Sequence, residues 1–194
     1  MQLRWVLLAA GESKRLGQPK QLLKSQDGNP LVLTQAKRLI KTHLPVSVVT
    51  GAKADEVVLA LGPLKDQLDV LHNENWRQGQ GSSVLKAIQA YPTDCLGFVL
   101  VDQYRLTTQW ANDFAATWRK EPTTPLVTRY GQNDNDWGVP VIVPPGFTSA
   151  LNDSKKGLKP LLKTASRNTF LGEFAVFDID TPEDLECFRR YSNS

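Results

Sequence analysis

Residues 5–20 read Trp-Val-Leu-Leu-Ala-Ala-Gly-Glu-Ser-Lys-Arg-Leu-Gly-Gln-Pro-Lys, and this stretch decides the fold. It begins with an apolar run of strand length, and the rest is a loop of glycine, proline and charge. Small residues let the backbone approach a ligand closely, and the cations Lys14, Arg15 and Lys20 suit a ligand with several phosphate charges. We therefore predict a β-strand over residues 5–9 followed by a phosphate-binding loop, with a solvated basic turn as the alternative.

The remainder of the chain alternates between strand-like and helix-like segments. Short apolar or β-branched runs predict strands over residues 46–50, 69–73, 97–101, 125–130, 139–143 and 173–178. The spacing of apolar residues predicts helices over residues 31–42, 55–61, 83–90, 107–119, 156–165 and 182–191. Strands that alternate with helices indicate an α/β fold of three layers, α/β/α, around a mostly parallel, Rossmann-like sheet. Ligands of such sheets bind beyond the carboxyl ends of the strands.

Composition sets limits on the function. The chain has 194 residues, 41% of them hydrophobic, and a formal net charge of +3, so we expect a single domain over residues 1–194. The charges are interspersed, which disfavours a nucleic-acid partner. Two cysteines, Cys95 and Cys187, are too few for a disulfide scaffold or a multi-cysteine zinc site, and we expect both to be buried. No apolar run is long enough to span a membrane, so a soluble protein of the cytoplasm is expected.

Carboxylates stand at two of the predicted strand ends. Asp102 directly follows the strand over residues 97–101, and Asp178 and Asp180 close the last predicted strand, where alternation would place both side chains on one face. Mg²⁺ in proteins is held by one or two carboxylates together with substrate phosphates and water. We therefore expect Asp102, Asp180 and the cations of the first loop to converge on one complex of a nucleoside triphosphate with Mg²⁺.

Simpler roles exist for some of these residues. A carboxylate after a strand often caps the next helix, although Thr107 and Thr181 are the better caps in this sequence. His43 and His72 are isolated, so no Ser-His-Asp or Cys-His arrangement competes with chemistry on phosphate. The strand-end carboxylates and the basic loop are therefore the strongest candidates for a functional site.

Four segments, taken in order, form a recognisable set. Residues 8–20 fit Leu-Ala-Ala-Gly-x-Ser-x-Arg-x-Gly-x-Pro-Lys, and residues 73–83 fit Asn-x-x-Trp-x-x-Gly-x-x-x-Ser. Residues 101–103 read Val-Asp-Gln and contain the first two residues of an Asp-Gln-Pro turn. Residues 178–185 fit Asp-x-Asp-Thr-Pro-Glu-Asp-Leu. The set resembles the nucleotidyltransferases related to molybdenum cofactor cytidylyltransferase, a group that includes the guanylyltransferase of that cofactor and the sugar and isoprenoid cytidylyltransferases.

The resemblance implies a three-layer fold of the nucleotide-diphospho-sugar transferase type, with one NTP and one Mg²⁺ above the sheet. It implies that a phosphate of a small acceptor, such as molybdopterin, attacks the α-phosphate, so that an NMP is transferred and pyrophosphate leaves. By position it assigns Leu8, Ala10, Gly11, Gly79 and Ser83 to the nucleoside, Arg15 and Lys20 to the phosphates, and Asp102 and Asp180 to the metal. Lys14 joins the nucleotide-binding set, and Arg15, Lys20 and Asp102 would be catalytic. Ala10 favours CTP, because its methyl group takes space that a larger base would need.

The sequence departs from the family pattern in segments assigned to the acceptor side. Tyr104 replaces the proline of the Asp-Gln-Pro turn, and Val139 stands where the cofactor cytidylyltransferases usually have histidine. Within residues 152–157, Lys155 replaces the acid of an expected Gly-Asp-x-Gly stretch. Together with Lys156, Lys155 would suit an acceptor more anionic than molybdopterin.

Three alternatives stay open beside a Mg²⁺-dependent cytidylyltransferase. The altered acceptor segments also fit a non-catalytic or regulatory nucleotide-binding protein of the same fold. A guanylyltransferase that uses GTP is the second alternative. A nucleotide-sugar glycosyltransferase is the third, because Asp178 and Asp180 imitate the Asp-x-Asp metal site of those enzymes, although they follow the last predicted strand instead of lying mid-chain.

Overall fold

The computed structural model describes residues 1–25, 27–133, 136–150 and 157–193. Its strands are β1 (Leu3–Ala9), β2 (Val46–Thr50), β3 (Asp69–His72), β4 (Cys95–Leu100), β5 (Leu126–Arg129), β6 (Trp137–Val143) and β7 (Asn168–Leu171). They form one sheet in the order β3-β2-β1-β4-β6-β5-β7. Strand β6 runs antiparallel to both of its neighbours, and the other neighbouring strands are parallel. The predicted mostly parallel α/β sheet is confirmed.

Helices cover both faces of this sheet. The α-helices of the described residues are α1 (Leu31–Ile40), α2 (Ala54–Leu61), α3 (Gln80–Ala90), α4 (Thr108–Trp118), α5 (Lys159–Thr164) and α6 (Pro182–Asn193). Side chains of α1, α2, α4 and α6 pack into the core on one face, and side chains of α3 and α5 pack into the core on the other. The three-layer α/β/α architecture predicted from the sequence is therefore present.

Strand β1 shows why the chain forms this sheet. Trp5 and Leu7 pack into the core on one face, whereas Val6 and Leu8 pack into the core on the other. A strand buried on both faces needs an uninterrupted apolar run, and the sequence provides one. Strand β1 pairs with β2 on one side and β4 on the other. The polar loop that follows β1 therefore begins near the middle of the sheet, at its carboxyl edge.

Two helices begin at the predicted caps. Thr107 Oγ1 accepts a hydrogen bond from Trp110 N at 3.1 Å at the start of α4. At the start of α6, Thr181 Oγ1 accepts from Asp184 N at 3.2 Å, and Asp184 Oδ2 accepts from Thr181 N at 2.8 Å. This reciprocal pair is a capping box. It fixes the backbone where α6 begins and also the segment immediately before it.

The predicted last strand over residues 173–178 is wrong. Residues Glu173–Val176 form a 3-10 turn, and the strand is instead β7, which pairs in parallel with β5 at the edge of the sheet. Three of the four residues of β7 are exposed, so it lacks the apolar run that marks an interior strand. Phe174 in this turn has another role, because its ring packs edge-on against Trp110 with 4.7 Å between the ring centroids.

The other strands and helices predicted from the sequence are present, with ends that differ by up to three residues. Cys95 is buried as expected, but Cys187 is exposed on α6, so the expectation of burial is wrong for that thiol. The predicted start of a helix at residue 156 lies outside the described residues, and α5 begins at Lys159. Within the ranges that the structure describes, no helix has the length and apolar character needed to cross a membrane.

Candidate active site

A cavity of about 550 Å³ opens at the carboxyl ends of β1 and β4, beside the start of α3. We call it the charged cavity. Its walls include every residue predicted to bind nucleotide or metal, namely Leu8, Ala10, Gly11, Lys14, Arg15, Lys20, Gly79, Ser83, Asp102 and Asp180. They also include Glu12, Ser13, Gln21, Trp76, Arg77, Gln80, Leu100, Val101 and Asp178. This is the edge of an open α/β sheet at which ligands bind.

Lys20 joins two carboxylates inside this cavity. Its Nζ donates hydrogen bonds to Asp102 Oδ2 and, at 2.9 Å, to Asp180 Oδ1. Arg15 donates from Nη2 to the other oxygen of Asp180 at 2.7 Å. The Lys20 side chain is 15% exposed and the Asp102 side chain 8%. The predicted convergence of three distant segments is present, whereas the chemical role of each side chain stays a prediction.

Three carboxylates and two cations lie close together at this point. Burial would raise the pKa of Asp180, but the hydrogen bonds and charges of Lys20 and Arg15 hold its pKa below the ordinary value. Burial raises the pKa of Asp178, and the charges of Asp102 and Asp180 raise it further. Burial would lower the pKa of Lys20, but the two carboxylates it contacts raise that pKa. Acids outnumber bases here, which favours the binding of a further cation.

An irregular segment before α6, and not a strand, brings Asp178 and Asp180 to the cavity. The predicted alternation along a strand is therefore wrong as the reason for their placement. Ile179, between them, is fully buried in the core. The carboxylate of Asp184 accepts a hydrogen bond from Asp180 N at 3.0 Å. These two anchors hold the segment so that both aspartates line the charged cavity.

The loop after β1 turns tightly before it reaches Lys20. Ser13 has a φ of +59°, and its carbonyl oxygen accepts a hydrogen bond from Gly17 N at 3.1 Å. The Ser13 hydroxyl accepts from Lys20 N at 3.2 Å. Gly17 has a φ of +73°, a conformation that favours glycine. The Lys14 side chain, by contrast, is 80% exposed and pairs with Glu12 at 3.3 Å. The loop thus buries one cation and leaves another at the rim.

The wall facing this loop is built from residues 73–83. Asn73 is buried, and its Nδ2 donates hydrogen bonds to Ser82 Oγ at 2.8 Å and Ser83 Oγ at 3.0 Å. Gly79 lies between them with a φ of +105°, and the chain enters α3 at that point. Asn73 therefore ties the end of β3 to the first turn of α3, which presents Gly79 and Ser83 to the cavity.

The close approach of Gly51 to Ala10 and Trp76 fixes Ala10 in its place. A Cβ atom on Gly51 would lie 2.6 Å from Trp76 Cβ and 2.9 Å from Ala10 Cβ, so only glycine fits at this position. The Ala10 carbonyl oxygen also accepts a hydrogen bond from Ala52 N at 3.0 Å. Ala10 and Trp76 therefore form a wall of the charged cavity that has little freedom to move.

Buried amide side chains near the site were not predicted from the sequence. Gln21, Gln35 and Gln103 are each at most 1% exposed. Gln21 donates to a carbonyl at the end of β1, Gln35 to one in the turn after β4, and Gln103 to one in β6. The sequence does carry a signal for Gln35, because a polar residue interrupts the buried stripe of α1 there. A buried amide needs hydrogen-bond partners, and those partners belong to residues far along the chain.

A second cavity of about 260 Å³ adjoins the first and shares three of its wall residues, Leu8, Gln80 and Leu100. We call it the apolar cavity; its other wall residues are Val84, Phe98, Tyr130, Trp137, Gly138, Val139, Val141, Gly157, Leu158, Lys159 and Leu162. Tyr130 Oη donates a hydrogen bond to Val139 O at 3.0 Å. Burial and the charge of Asp178 raise the pKa of Tyr130 to about 12, so its hydroxyl stays protonated at neutral pH.

The three departures from the family pattern lie in different places. Val139 lines the apolar cavity. Tyr104 lies elsewhere, because its buried ring packs edge-on against Phe188 of α6 at 5.0 Å and its carbonyl oxygen accepts a hydrogen bond from Arg38 of α1. The assignment of Tyr104 to the acceptor side is therefore wrong, and the ring is part of the core. Lys155 lies outside the described residues.

The carboxylates of Asp102 and Asp180 fit a divalent cation. One oxygen of each bonds the same nitrogen of Lys20, so both oxygens lie within reach of one cation. Carboxylate oxygens are ligands that Mg²⁺ and Mn²⁺ prefer. No group of three or more His, Cys, Asp or Glu residues suited to a metal occurs in the described ranges. Phosphate oxygens and water would therefore complete the coordination.

Solved structures with the same fold include several nucleotidyltransferases. A nucleotidyl transferase from Methanothermobacter thermautotroptrophicus is 19% identical, with a TM-score of 0.82 over 99% of this chain and 98% of that chain. Rv0371c from Mycobacterium tuberculosis H37Rv is 25% identical, with a TM-score of 0.78 over 100% of this chain and 98% of that chain. The complex of Rv0371c with manganese is 22% identical to this chain, with a TM-score of 0.70 over 100% of both chains. A CMP:2-keto-3-deoxy-manno-octonic acid synthetase complexed with CTP is 15% identical, with a TM-score of 0.75 over 100% and 99%.

The sequence itself matches one protein family. No curated protein is significantly similar to the chain. The family model for the MobA-like NTP transferase domain matches residues 5–169, which include the loop after β1, residues 73–83 and Asp102. Asp180 lies beyond the matched region. The chain therefore belongs to the family of MobA-like NTP transferase domains and is a nucleotidyltransferase.

Proposed function

We propose that this protein is a Mg²⁺-dependent cytidylyltransferase that moves CMP from CTP to the phosphate of a small acceptor, such as molybdopterin, and releases pyrophosphate. One observation carries the proposal: the Lys20 ammonium joins Asp102 and Asp180 inside a cavity that Lys14 and Arg15 also line. Carboxylates for a metal and cations for a triphosphate thus share one small volume. Phosphoryl transfer asks little more of a protein than positioning and charge.

The bond changes define what the side chains must do. An oxygen of the acceptor phosphate forms a bond to the α-phosphorus of CTP, and the bond from that phosphorus to the oxygen bridging to the β-phosphate breaks. Pyrophosphate leaves with the electron pair of the broken bond. Lys20 and Arg15 would bind phosphate oxygens and stabilise the negative charge that develops on the pyrophosphate, because fixed cations cost no reorganisation during the reaction.

Asp102 and Asp180 would hold the Mg²⁺ ion. When bound, such an ion neutralises charge on the phosphate oxygens and polarises the phosphorus that is attacked. The Asp102 side chain is 8% exposed and its turn lies in the core, so its carboxylate is fixed before any ligand arrives. Manganese in the complex of Rv0371c makes Mn²⁺ a suitable spectroscopic probe for this chain.

The preference for CTP rests on the wall formed by Ala10 and Trp76. Ala10 is 6% exposed and packs against Gly51, so its methyl group has no space to move away from the cavity. A pyrimidine therefore fits beside its methyl group more easily than a purine. The CMP:2-keto-3-deoxy-manno-octonic acid synthetase, which has the same fold, is complexed with CTP.

The apolar cavity is the place we propose for the acceptor. It adjoins the charged cavity along three shared wall residues, so an acceptor phosphate at the junction would face the α-phosphate of the nucleotide. Trp137 and Val139 offer apolar surface there, and the Tyr130 hydroxyl is held in place by the Val139 carbonyl. We expect the body of the acceptor to lie against these three residues.

Pyrophosphate release tests the proposal. The protein is mixed with Mg²⁺, with CTP, GTP, UTP or ATP in turn, and with candidate phosphorylated acceptors. CTP should give the fastest release, and faster release with GTP would identify a guanylyltransferase. Asp102→Asn should abolish release with an unchanged far-UV circular dichroism spectrum. Asp113→Asn, an exposed carboxylate on α4, is the matched control and should behave as wild type. Normal turnover in Asp102→Asn would contradict the metal assignment.

A non-catalytic nucleotide-binding protein is the second candidate function. The observation that favours it is Val139, which replaces the usual histidine at the wall of the apolar cavity. This candidate predicts tight binding of Mg²⁺ and nucleotide by calorimetry, without pyrophosphate release for any acceptor. Multiple turnovers with one acceptor would exclude it.

A further inference from the structure

Gln35 ties the turn that carries Asp102 to the core. It lies on α1, is fully buried, and donates from Nε2 to Gln103 O at 2.6 Å and to Val101 O at 3.5 Å. Val101 and Gln103 are the two residues that flank Asp102 in the chain. The backbone on both sides of Asp102 is therefore held by one amide group on a helix.

Gln21 makes the same arrangement at the other strand-end turn. It is 1% exposed, and its Nε2 donates to Ala9 O at 2.9 Å and to Gly11 O at 2.6 Å. Ala9 and Gly11 flank Ala10, the residue assigned to the wall beside the base. The Gln21 Oε1 atom is buried with no hydrogen-bond partner among the described residues. The described bonds of this side chain are therefore those that bracket Ala10.

We propose that these two glutamines are positioning residues with separate tasks. Gln35 sets the Asp102 carboxylate for the divalent cation, and Gln21 sets Ala10 and Gly11 for the nucleoside. The inference rests on the proposed function, because it takes Asp102 as a metal ligand and Ala10 as a nucleoside contact. It adds residues from outside the four sequence motifs to the working parts of the site.

Each turn keeps other support when its glutamine is removed. The Gln103 side chain accepts a hydrogen bond from Leu100 N at 3.2 Å and donates to Val139 O at 2.6 Å, so the Asp102 turn remains attached to β4 and β6. The Ala10 carbonyl oxygen still accepts from Ala52 N. Loss of one amide should therefore displace a turn slightly without unfolding it. Small displacements of a ligand-binding group are enough to weaken binding strongly.

The test compares Gln35→Leu with Gln21→Leu, which remove the same amide from the two turns. Two dissociation constants are measured for each protein: that of CTP in EDTA by calorimetry, and that of Mn²⁺ at saturating CTP by electron paramagnetic resonance. Gln35→Leu should raise the Kd of Mn²⁺ about tenfold, as loss of a residue that orients a metal ligand typically does. It should leave the Kd of CTP in EDTA unchanged.

Gln21→Leu should show the opposite pattern, with an increase of about tenfold in the Kd of CTP in EDTA, the scale on which misplaced binding groups lose affinity. Its Kd of Mn²⁺ at saturating CTP should be unchanged. A merely structural role would lower the melting temperature of both variants and shift both constants alike. Similar shifts in both variants, or none in either, would overturn the proposal.

Two further arms keep the result interpretable. Gln35→Asn and Gln21→Asn retain the amide but withdraw it by one methylene group, and they replace either leucine variant that does not fold. They should show the same two patterns, and their failure to do so counts against the proposal. A wild-type protein that binds none of the four nucleoside triphosphates would refute the proposed function. A wild type that binds CTP and Mn²⁺ while the variants match it would refute the positioning roles alone.

Discussion

The charged cavity and the apolar cavity adjoin each other but are built in different ways. The charged cavity gathers acids and bases from the loop after β1, the end of β4 and the segment before α6. Lys20 pairs there with Asp102 and Asp180, and Arg15 pairs with Asp180. The apolar cavity is walled mainly by aliphatic and aromatic side chains, with Lys159 as the charged side chain of its lining. On the proposed function, the charge for the chemistry and most of the surface for the acceptor lie in separate cavities, so we expect that each can be changed without the other.

The largest expected effect comes from Lys20→Met compared with Lys14→Met, which remove the same charge from the same loop. Lys20→Met leaves the Asp102 carboxylate buried without its partner, so we expect a loss of about 3 kcal/mol in the free energy of unfolding. We also expect pyrophosphate release to fall by at least about 100-fold. Urea denaturation and a turnover assay measure the two effects.

Lys14→Met is the control for this comparison, because the Lys14 side chain is 80% exposed. Its free energy of unfolding should change by no more than about 0.5 kcal/mol, the usual range for a surface substitution. A Lys20→Met protein that is as stable as Lys14→Met and turns over as fast as wild type would mean that the ion pairs of the charged cavity do not matter.

An intermediate effect is expected from Gly138→Ala in the apolar cavity. The new Cβ atom would lie 2.1 Å from Tyr130 Oη, so the ring must turn away and lose its hydrogen bond to Val139 O. We expect the KM for the acceptor to rise about tenfold, the scale of one misplaced group in a pocket. The Kd of CTP with Mn²⁺ should stay the same. An equal weakening of nucleotide binding would show that the two cavities are not independent.

The smallest expected effect concerns the pH dependence of stability in Tyr130→Phe. An unfolded tyrosine ionises near pH 10.0, whereas burial and Asp178 raise the pKa of Tyr130 to about 12 in the folded protein. Above pH 10, ionisation therefore stabilises the unfolded wild type, and the stability that Tyr130 contributes is lost as the pH rises toward 12. Tyr130→Phe has no phenol to ionise at this position, so its free energy of unfolding shows no such loss.

Urea denaturation at pH 8, 10 and 11 measures this difference. At pH 8 the wild type should be more stable than Tyr130→Phe by about 1 kcal/mol, because of the hydrogen bond to Val139 O. Above pH 10 the gap should shrink by about 1 kcal/mol per pH unit. A gap that is constant from pH 8 to 11 would show that the Tyr130 hydroxyl is open to solvent and not enclosed by the apolar cavity.

The fold was predictable where burial dictates the residue type. Strands β1 and β4 are covered on both faces, so their apolar runs stand out in the sequence. Strand β7 was not predictable, because an edge strand with exposed residues needs no such run. The apolar run over residues 173–178 was misleading, since Phe174 packs on Trp110 from a turn. The local pattern of apolar residues indicates which residues are buried. It does not indicate whether a strand or a turn buries them.

The candidate site was predictable where a residue's chemistry is unusual for its position. A carboxylate directly after an apolar strand, such as Asp102, or a cluster of cations in a loop with glycines is conspicuous. The burial of Gln35 has a signal in the sequence, but the bonding partners of Gln21 and Gln35 were not predictable, because these partners are backbone carbonyls that carry no residue-specific signal. The position of Tyr104 also required the structure, because only packing against α6 shows that its ring belongs to the core.

The central claim is that Asp102 and Asp180, from segments far apart in the chain, hold one divalent cation together with the nucleotide. The most direct test is a crystal grown with CTP and Mn²⁺, in which anomalous scattering locates the manganese. The account predicts a single strong peak in the charged cavity within bonding distance of both carboxylates, with Lys20 turned toward a phosphate. A peak bound by neither carboxylate, or a nucleotide bound outside the charged cavity, would contradict it.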